Sequence, residues 1–182
     1  MTGVGTVIKR YKLVLIAGAA LGILFLFWRS IGVKAVGISL FTLEEMALVI
    51  PPIFILLGLL DVWVPRETMV KYMGEGSGII GVILAIVLGS AAAGPLYGAF
   101  PIAAVFMKKG AKFSNIMVFI GAWSTTKIPM FLFEISALGA KFAVTRMLID
   151  IPGIVLIGYV LNKMVSEKEK EKLYQGAKEL AT

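Results

Sequence analysis

The chain has no cysteine and no histidine in 182 residues. That excludes disulfide staples, thiolate or imidazole metal sites, thiol catalysis and the usual proton relay at physiological pH. Proton or ion chemistry must then fall to carboxylates, Lys, Arg, Tyr, hydroxyls and backbone carbonyls. Charge is scarce too, at 16% of residues, where an ordinary soluble domain carries about 25%. Enzyme signatures are missing: there is no phosphate-binding Walker pattern, no Gly-x-Ser-x-Gly, and no histidine to activate a serine. A non-enzyme without cofactor or metal is expected. The net charge of +7 does not indicate a nucleic-acid partner, because the basic residues gather at both termini and in one short loop and no basic face interleaves aromatics.

What the sequence does hold is apolar length. Apolar residues make up 59% of it, and the mean hydropathy is +0.93. Long runs cover residues 13–28, 46–64, 79–107, 113–139 and 142–161. These predict an all-α integral membrane protein of four to five transmembrane helices, some re-entrant or discontinuous. One polytopic domain over residues 1–162 and a charged cytosolic tail over 163–182 follow. The first run ends at Trp28-Arg29, an interfacial pair and not a small-residue cleavage site, so it reads as a span. Residues 29–45 read as a short mixed connection, Pro51-Pro52 as a kink near one face of the second span, and residues 65–78 as an amphipathic surface turn.

The third run exceeds the roughly 20 residues that cross the hydrocarbon. Its centre, residues 89–101, reads Gly-Ser-Ala-Ala-Ala-Gly-Pro-Leu-Tyr-Gly-Ala-Phe-Pro. Three glycines and two prolines cannot form one good helix, and in hydrocarbon a broken backbone survives only where protein or a water-filled cavity satisfies its freed groups. Either a substrate pathway or a tightly packed kink fits this composition. The pathway reading selects Ser90, Gly94, Pro95, Tyr97, Gly98 and Pro101. The fourth run repeats the pattern, with Ser124, Thr125, Thr126 and Lys127 ahead of Pro129, then Glu134. Paired breaks in neighbouring stretches are how transporters build a site from half-helix ends. Lys127 either faces a cavity or acidic partner, or snorkels to an interface. In the last run Arg146 and Asp150 stand at i and i+4. They read as a structural ion pair, or as part of a coupling site with Asp150 or Glu134 as the proton carrier.

Charge placement bears on topology. Both termini and the loop Lys108-Lys109-Gly110-Ala111-Lys112 are basic, and all three prefer the cytoplasm. Five simple spans cannot satisfy all of them. A re-entrant 79–107 leaves both termini and the loop on the cytoplasmic side; insertion in both orientations would also blunt the rule.

From residue 89 to 160 the chain resembles the predicted permeases of the ArsP type, which include organoarsenical exporters. The shared features are the Gly/Pro-rich break ending in Pro101-Ile102, the Lys109-Gly110 turn, and Val118-Phe119-Ile120-Gly121-Ala122 before a small polar break and a proline. Gly139 and Arg146 follow, ahead of a last Gly-containing span. Members with arsenical activity carry a cysteine-containing motif just before the equivalent of Pro101. Here that place holds Pro95-Leu96-Tyr97-Gly98-Ala99-Phe100. The resemblance implies a permease whose solute meets backbone and hydroxyl groups. Typical members are longer, often with two related halves, so it also implies a half-transporter acting as a homodimer. The expectation is a multi-pass plasma-membrane permease, embedded in the lipid bilayer, that moves a small molecule or ion. The alternative is a non-transporting membrane scaffold or accessory subunit.

Overall fold

The computed structural model describes residues 4–92 and 94–180. Among these there is no strand. The helices are α1 (Val4–Phe27), α2 (Arg29–Trp63), α3 (Arg66–Met73), α4 (Gly78–Ala91), α5 (Ala99–Lys108), α6 (Phe113–Thr125), α7 (Ile128–Leu138), α8 (Ala140–Met164) and α9 (Glu167–Leu180). Short 3-10 turns lie at Glu75–Ser77 and Leu96–Gly98. Three helical stretches, Arg29–Leu60, Phe113–Leu138 and Ala140–Met164, are long and apolar enough to cross a membrane. The apolar part of α1, Tyr11–Phe27, is shorter. The pair Arg66–Met73 and Glu75–Ala91, bent by 48°, would be a fourth.

The chain divides into two compact units, Met1–Ile50 and Pro51–Thr182. In the first, α1 gives way to α2 at Trp28, whose carbonyl accepts from the amides of Ile31 and Gly32 at 2.9 Å each. Gly32 is needed there, since a Cβ on it would lie 2.4 Å from the Phe25 Cα. Residues 29–45 are helical and not a connection. They contain no proline, and the Ser39 and Thr42 hydroxyls turn back onto the carbonyls of Ala35 and Ile38 at 2.9 Å, so their polarity is absorbed within the helix. The Pro51-Pro52 pair lies inside α2, where the two units divide.

The second unit is built on α6, the most buried helix. Ile116, Val118 and Phe119 are at most 1% exposed. Phe119 stacks edge-on between Phe106 and Trp123, with ring centroids 5.0 and 5.6 Å away. Small residues let its neighbours approach. A Cβ at Gly89 of α4 would lie 2.5 Å from the Phe119 carbonyl oxygen, and one at Gly158 of α8 would lie 3.1 Å from that of Ser114. Elsewhere the surface is apolar: only 11% of the apolar window of α8 is buried inside the chain. Leu148, Ile149, Leu156 and Ile157 stand exposed on that helix, as lipid contact requires.

Two chain reversals position the centre. After α5 the chain returns to where α4 began, since the Lys112 amide donates to the Met73 carbonyl at 2.7 Å and the Asn115 side-chain amide reaches Met73 O and Ser77 Oγ at 3.0 and 3.1 Å. Residues 78–108 are therefore a helical hairpin whose tip is the Gly94-Pro95 turn. By contrast α6 and α7 continue in one direction. Along α8, Gly158 lies against Val118, Ile154 against Gly121, and Arg146 meets Glu134. The pair is one broken helix running antiparallel to α8, interrupted halfway at Thr126-Lys127.

The last helix is capped by Ser166 and Glu169. The Ser166 amide and hydroxyl donate to Glu169 Oε2 at 3.1 and 2.6 Å, and the Glu169 amide faces Ser166 Oγ at 3.4 Å. This is the Ser-x-x-Glu capping box, and these hydrogen bonds hold the Glu169 carboxyl below its usual range. One face of α9 packs on α5, burying Ala177. The Tyr174 hydroxyl donates to the Ala111 carbonyl at 2.6 Å.

Candidate functional site

At the hairpin tip α4 ends with Ala92 in extended conformation, and Gly94 takes φ +98°, a value open to glycine but strained for any residue with a Cβ. Pro95 is extended, and the Leu96–Gly98 turn leads into α5. The turn frees backbone groups that no helix satisfies. The Gly94 carbonyl finds two partners on the broken helix: Lys127 Nζ donates to it at 2.7 Å and Trp123 Nε1 at 3.3 Å.

The break between α6 and α7 is made by its own sequence. Pro129 cannot donate to the helical ladder, so Lys127 becomes the residue before α7, with ψ near 133°. The Thr125 and Thr126 hydroxyls fold back on the carbonyls of Gly121 and Ala122 at 3.0 and 3.1 Å. Thr126 Oγ1 also lies 2.7 Å from Ser90 Oγ, joining the end of α4 to the break. Both residues are buried.

The tip and the break thus meet, and Ser90, Gly94, Thr126 and Lys127 form the contact. Gly98 is buried beside Trp123 and Ile53, whose Cδ1 would be 2.6 Å from an added Cβ. Tyr97 and Pro95 are half-buried at the tip, Pro101 lies in the first turn of α5, and Thr125 is half-buried. Ser124 and Pro129 are exposed at the break. Four half-helix ends converge here: the C-termini of α4 and α6, with their negative dipole ends, and the N-termini of α5 and α7, with their positive ones. Lys127 adds a full cation.

Glu134 is not brought to Lys127, although seven residues of helix place the two near one face. It turns to α8, where Arg146 Nε donates to Glu134 Oε2 at 2.8 Å and Arg146 Nη1 to Asp150 Oδ2 at 2.5 Å. Glu134 is 5% exposed. The i, i+4 pair is therefore one arm of a triad that links α7 to α8.

Sequence reasoning missed three contributors. Trp123 reads as the end of an apolar run, yet its indole shares the Gly94 carbonyl. Asn115, 1% exposed, locks the base of the hairpin. Lys109, one of three cations in a loop that reads as a basic cytoplasmic connection, is 6% exposed and caps α2 through the carbonyls of Leu60 and Val64 at 2.9 and 2.5 Å. No periodicity signals such roles; the one hint for Lys109 is a cation placed to meet the negative end of a preceding helix. At this same base an open cleft of about 730 Å³ is lined by Glu75, Lys112, Asn162, Lys170, Glu171 and Tyr174. Lys112 pairs with Glu75 at 2.9 Å and Lys170 with Glu167 at 2.7 Å.

A family model described as a predicted permease, ArsP_1, matches residues 33–181. No curated protein and no solved structure gives a significant match.

Proposed function

The chain belongs to the ArsP_1 family of predicted permeases, and from that premise we propose that it carries a small polar solute across the plasma membrane through the meeting point of the α4–α5 hairpin and the α6/α7 break. In this reading the hairpin is re-entrant, entering and leaving on the cytoplasmic side with both termini, and Ser90, Tyr97, Thr125, Thr126 and Lys127 face the solute in turn. The observation that carries it is the Lys127 to Gly94 contact at 2.7 Å. A charged side chain placed halfway along an apolar broken helix is costly in lipid, and here it closes on the exposed backbone of a second break. With neither thiol nor imidazole in the chain, hydroxyls, carbonyls and one ammonium recognise the solute.

Two copies complete the pathway in this proposal. The exposed apolar faces supply contact surface for a second copy as well as for lipid, and two hairpin tips would enclose what one leaves open. The test is flux into proteoliposomes across a panel of small anions, cations and neutral polar organics, with cross-linking in the same membranes to read the oligomer. Movement of at least one class, reduced by Gly94→Ala, is expected. A protein that is folded and inserted, yet moves none of them, would count against transport and favour an accessory role.

A further inference from the structure

Building on the transport reading, we propose that Glu134 is a proton-binding site that couples solute movement to proton movement, and that it acts on the pathway through α7. The geometry is a triad of two carboxylates on one guanidinium, with Arg146 Nε at 2.8 Å from Glu134 and Nη1 at 2.5 Å from Asp150. Its formal charge is one negative in excess. Among the described residues of the helices that flank it, nothing cancels that excess. Glu134 is the sole ionisable residue of α7, α6 has none, Lys141 is exposed on α8, and Lys127 is engaged at Gly94. Both helices belong to stretches apolar enough to span a membrane. An uncompensated charge there is costly, and the cheapest neutralising partner available from water is a proton.

Of the two carboxylates Glu134 is the acceptor. Its side chain is 7% exposed against 24% for Asp150, and its contact with Arg146 is the longer one. The guanidinium also has a donor left over for a second arrangement. Arg146 Nη2 is buried without a hydrogen-bond partner. Once Glu134 binds a proton it no longer demands Nε. The fork of Nη1 and Nη2 is then free to take both oxygens of Asp150, satisfying the orphaned donor.

Loss of the Glu134 tie matters because of where α7 sits. It is an 11-residue rod between two weak points, the Thr126-Lys127 break and Gly139, whose φ is +90°. Glu134 lies about 10 Å along it from Lys127, at about 1.5 Å per residue. Releasing Glu134 frees α7 to pivot, and the pivot carries Lys127 off the Gly94 carbonyl. A proton taken from one side and returned to the other thereby opens and recloses the contact through which the solute passes.

Infrared pH-difference spectroscopy on the full chain in lipid nanodiscs tests the site without reference to a solute. Wild type should show the carbonyl stretch of a protonated carboxylic acid that comes and goes with pH. Glu134→Gln should remove it and Glu134→Asp should shift its frequency, while Asp150→Asn, which takes away the excess charge, should move its appearance to lower pH. Protection of the α7 amides, taken as exchange relative to the unstructured rate at the same pH, should be roughly tenfold lower at the acidic end in wild type, and lower at every pH in Glu134→Gln. No such band in wild type, or a band untouched by both Glu134 substitutions, overturns the proposal even in a protein that transports. A band assigned to Glu134 in a protein that moves no solute upholds the proton site and defeats the transport reading instead. Should Glu134→Gln fail to assemble, Glu134→Asp, which keeps the acid, decides by the band shift alone.

Discussion

Lys127 Nζ and the Gly94 carbonyl oxygen, 33 residues apart, lie 2.7 Å from each other, so the cation of one backbone break satisfies the freed carbonyl of another. Each break alone would leave polar groups exposed to hydrocarbon. Together, with Ser90 and Thr126 at 2.7 Å beside them, they close. A closed contact between two interrupted helices is also one that can open by a local movement of either break.

Lys127→Met should therefore impair flux out of proportion to stability. A hydrogen bond to a charged group is worth about 1.5–3 kcal/mol, so removing it from a closed state that must form in each cycle should lower the rate about tenfold or more. Trp123 still donates to Gly94 at 3.3 Å, so the hairpin stays docked. The measurement is flux into proteoliposomes alongside a thermal melt of the same preparation. A melt lowered as severely as the flux would make Lys127 a packing residue and no part of the pathway.

Glycine substitutions separate close helix contact from mere composition. A methyl at Gly89 would meet the Phe119 carbonyl oxygen, the Ala122 Cβ and the Trp123 amide at 2.5, 2.7 and 2.9 Å, and backbone cannot step aside. Gly89→Ala should cost about 1–3 kcal/mol, as overpacking does, and loosen α4 from α6. Gly153, inside α8, has nothing within 4 Å of an added Cβ. Gly153→Ala should be neutral, or stabilising by up to about 1 kcal/mol from helix propensity. Detergent melts of the two variants against wild type check the contrast.

The run of apolar residues made the helices legible, and Gly94-Pro95 and Pro129 made the two breaks legible, because proline and glycine act locally on the backbone. Excess length in 79–107 left a re-entrant hairpin and a discontinuous helix both open, and it was the return of Lys112 to Met73 that distinguished a helical hairpin. Long-range partners were not legible. That Lys127 faces a carbonyl, that Glu134 turns to Arg146 in place of Lys127, and that Lys109 is a buried cap all depend on which helices lie side by side. The helical character of 29–45 was hidden for another reason: scattered polar residues resemble a loop until their hydroxyls are seen bonding back along the helix.

Lys109→Met should destabilise the second unit though it sits in a loop. Its ammonium satisfies the carbonyls of Leu60 and Val64 at the end of α2, and removing one partner leaves buried acceptors unmet at about 1–3 kcal/mol. Lys112→Met, which removes the same charge from the same loop but gives up only a pair with the exposed Glu75 carboxylate, should cost less. Melts of both variants in one detergent make the comparison. Equal losses would mean that the loop's net charge matters and the cap does not.

The docking of α9 should titrate at alkaline pH. Burial first, then the nearby Glu75 and Glu167 carboxylates, push the Tyr174 hydroxyl up to about 12 from an ordinary 10.0. With the folded value above the unfolded one, the folded protein holds this proton more tightly. The contribution to stability is thus complete below about pH 10 and is lost as pH rises through about 12. The chemistry agrees, since a phenolate cannot donate to the Ala111 carbonyl. Protection of the Glu167–Leu180 amides, taken as exchange relative to the unstructured rate at the same pH, should fall across that window in wild type. In Tyr174→Phe, α9 should be looser already at neutral pH and should lack that step. A variant that keeps the full alkaline transition would show that the lysines facing the cleft, and not the tyrosine, hold α9 in place.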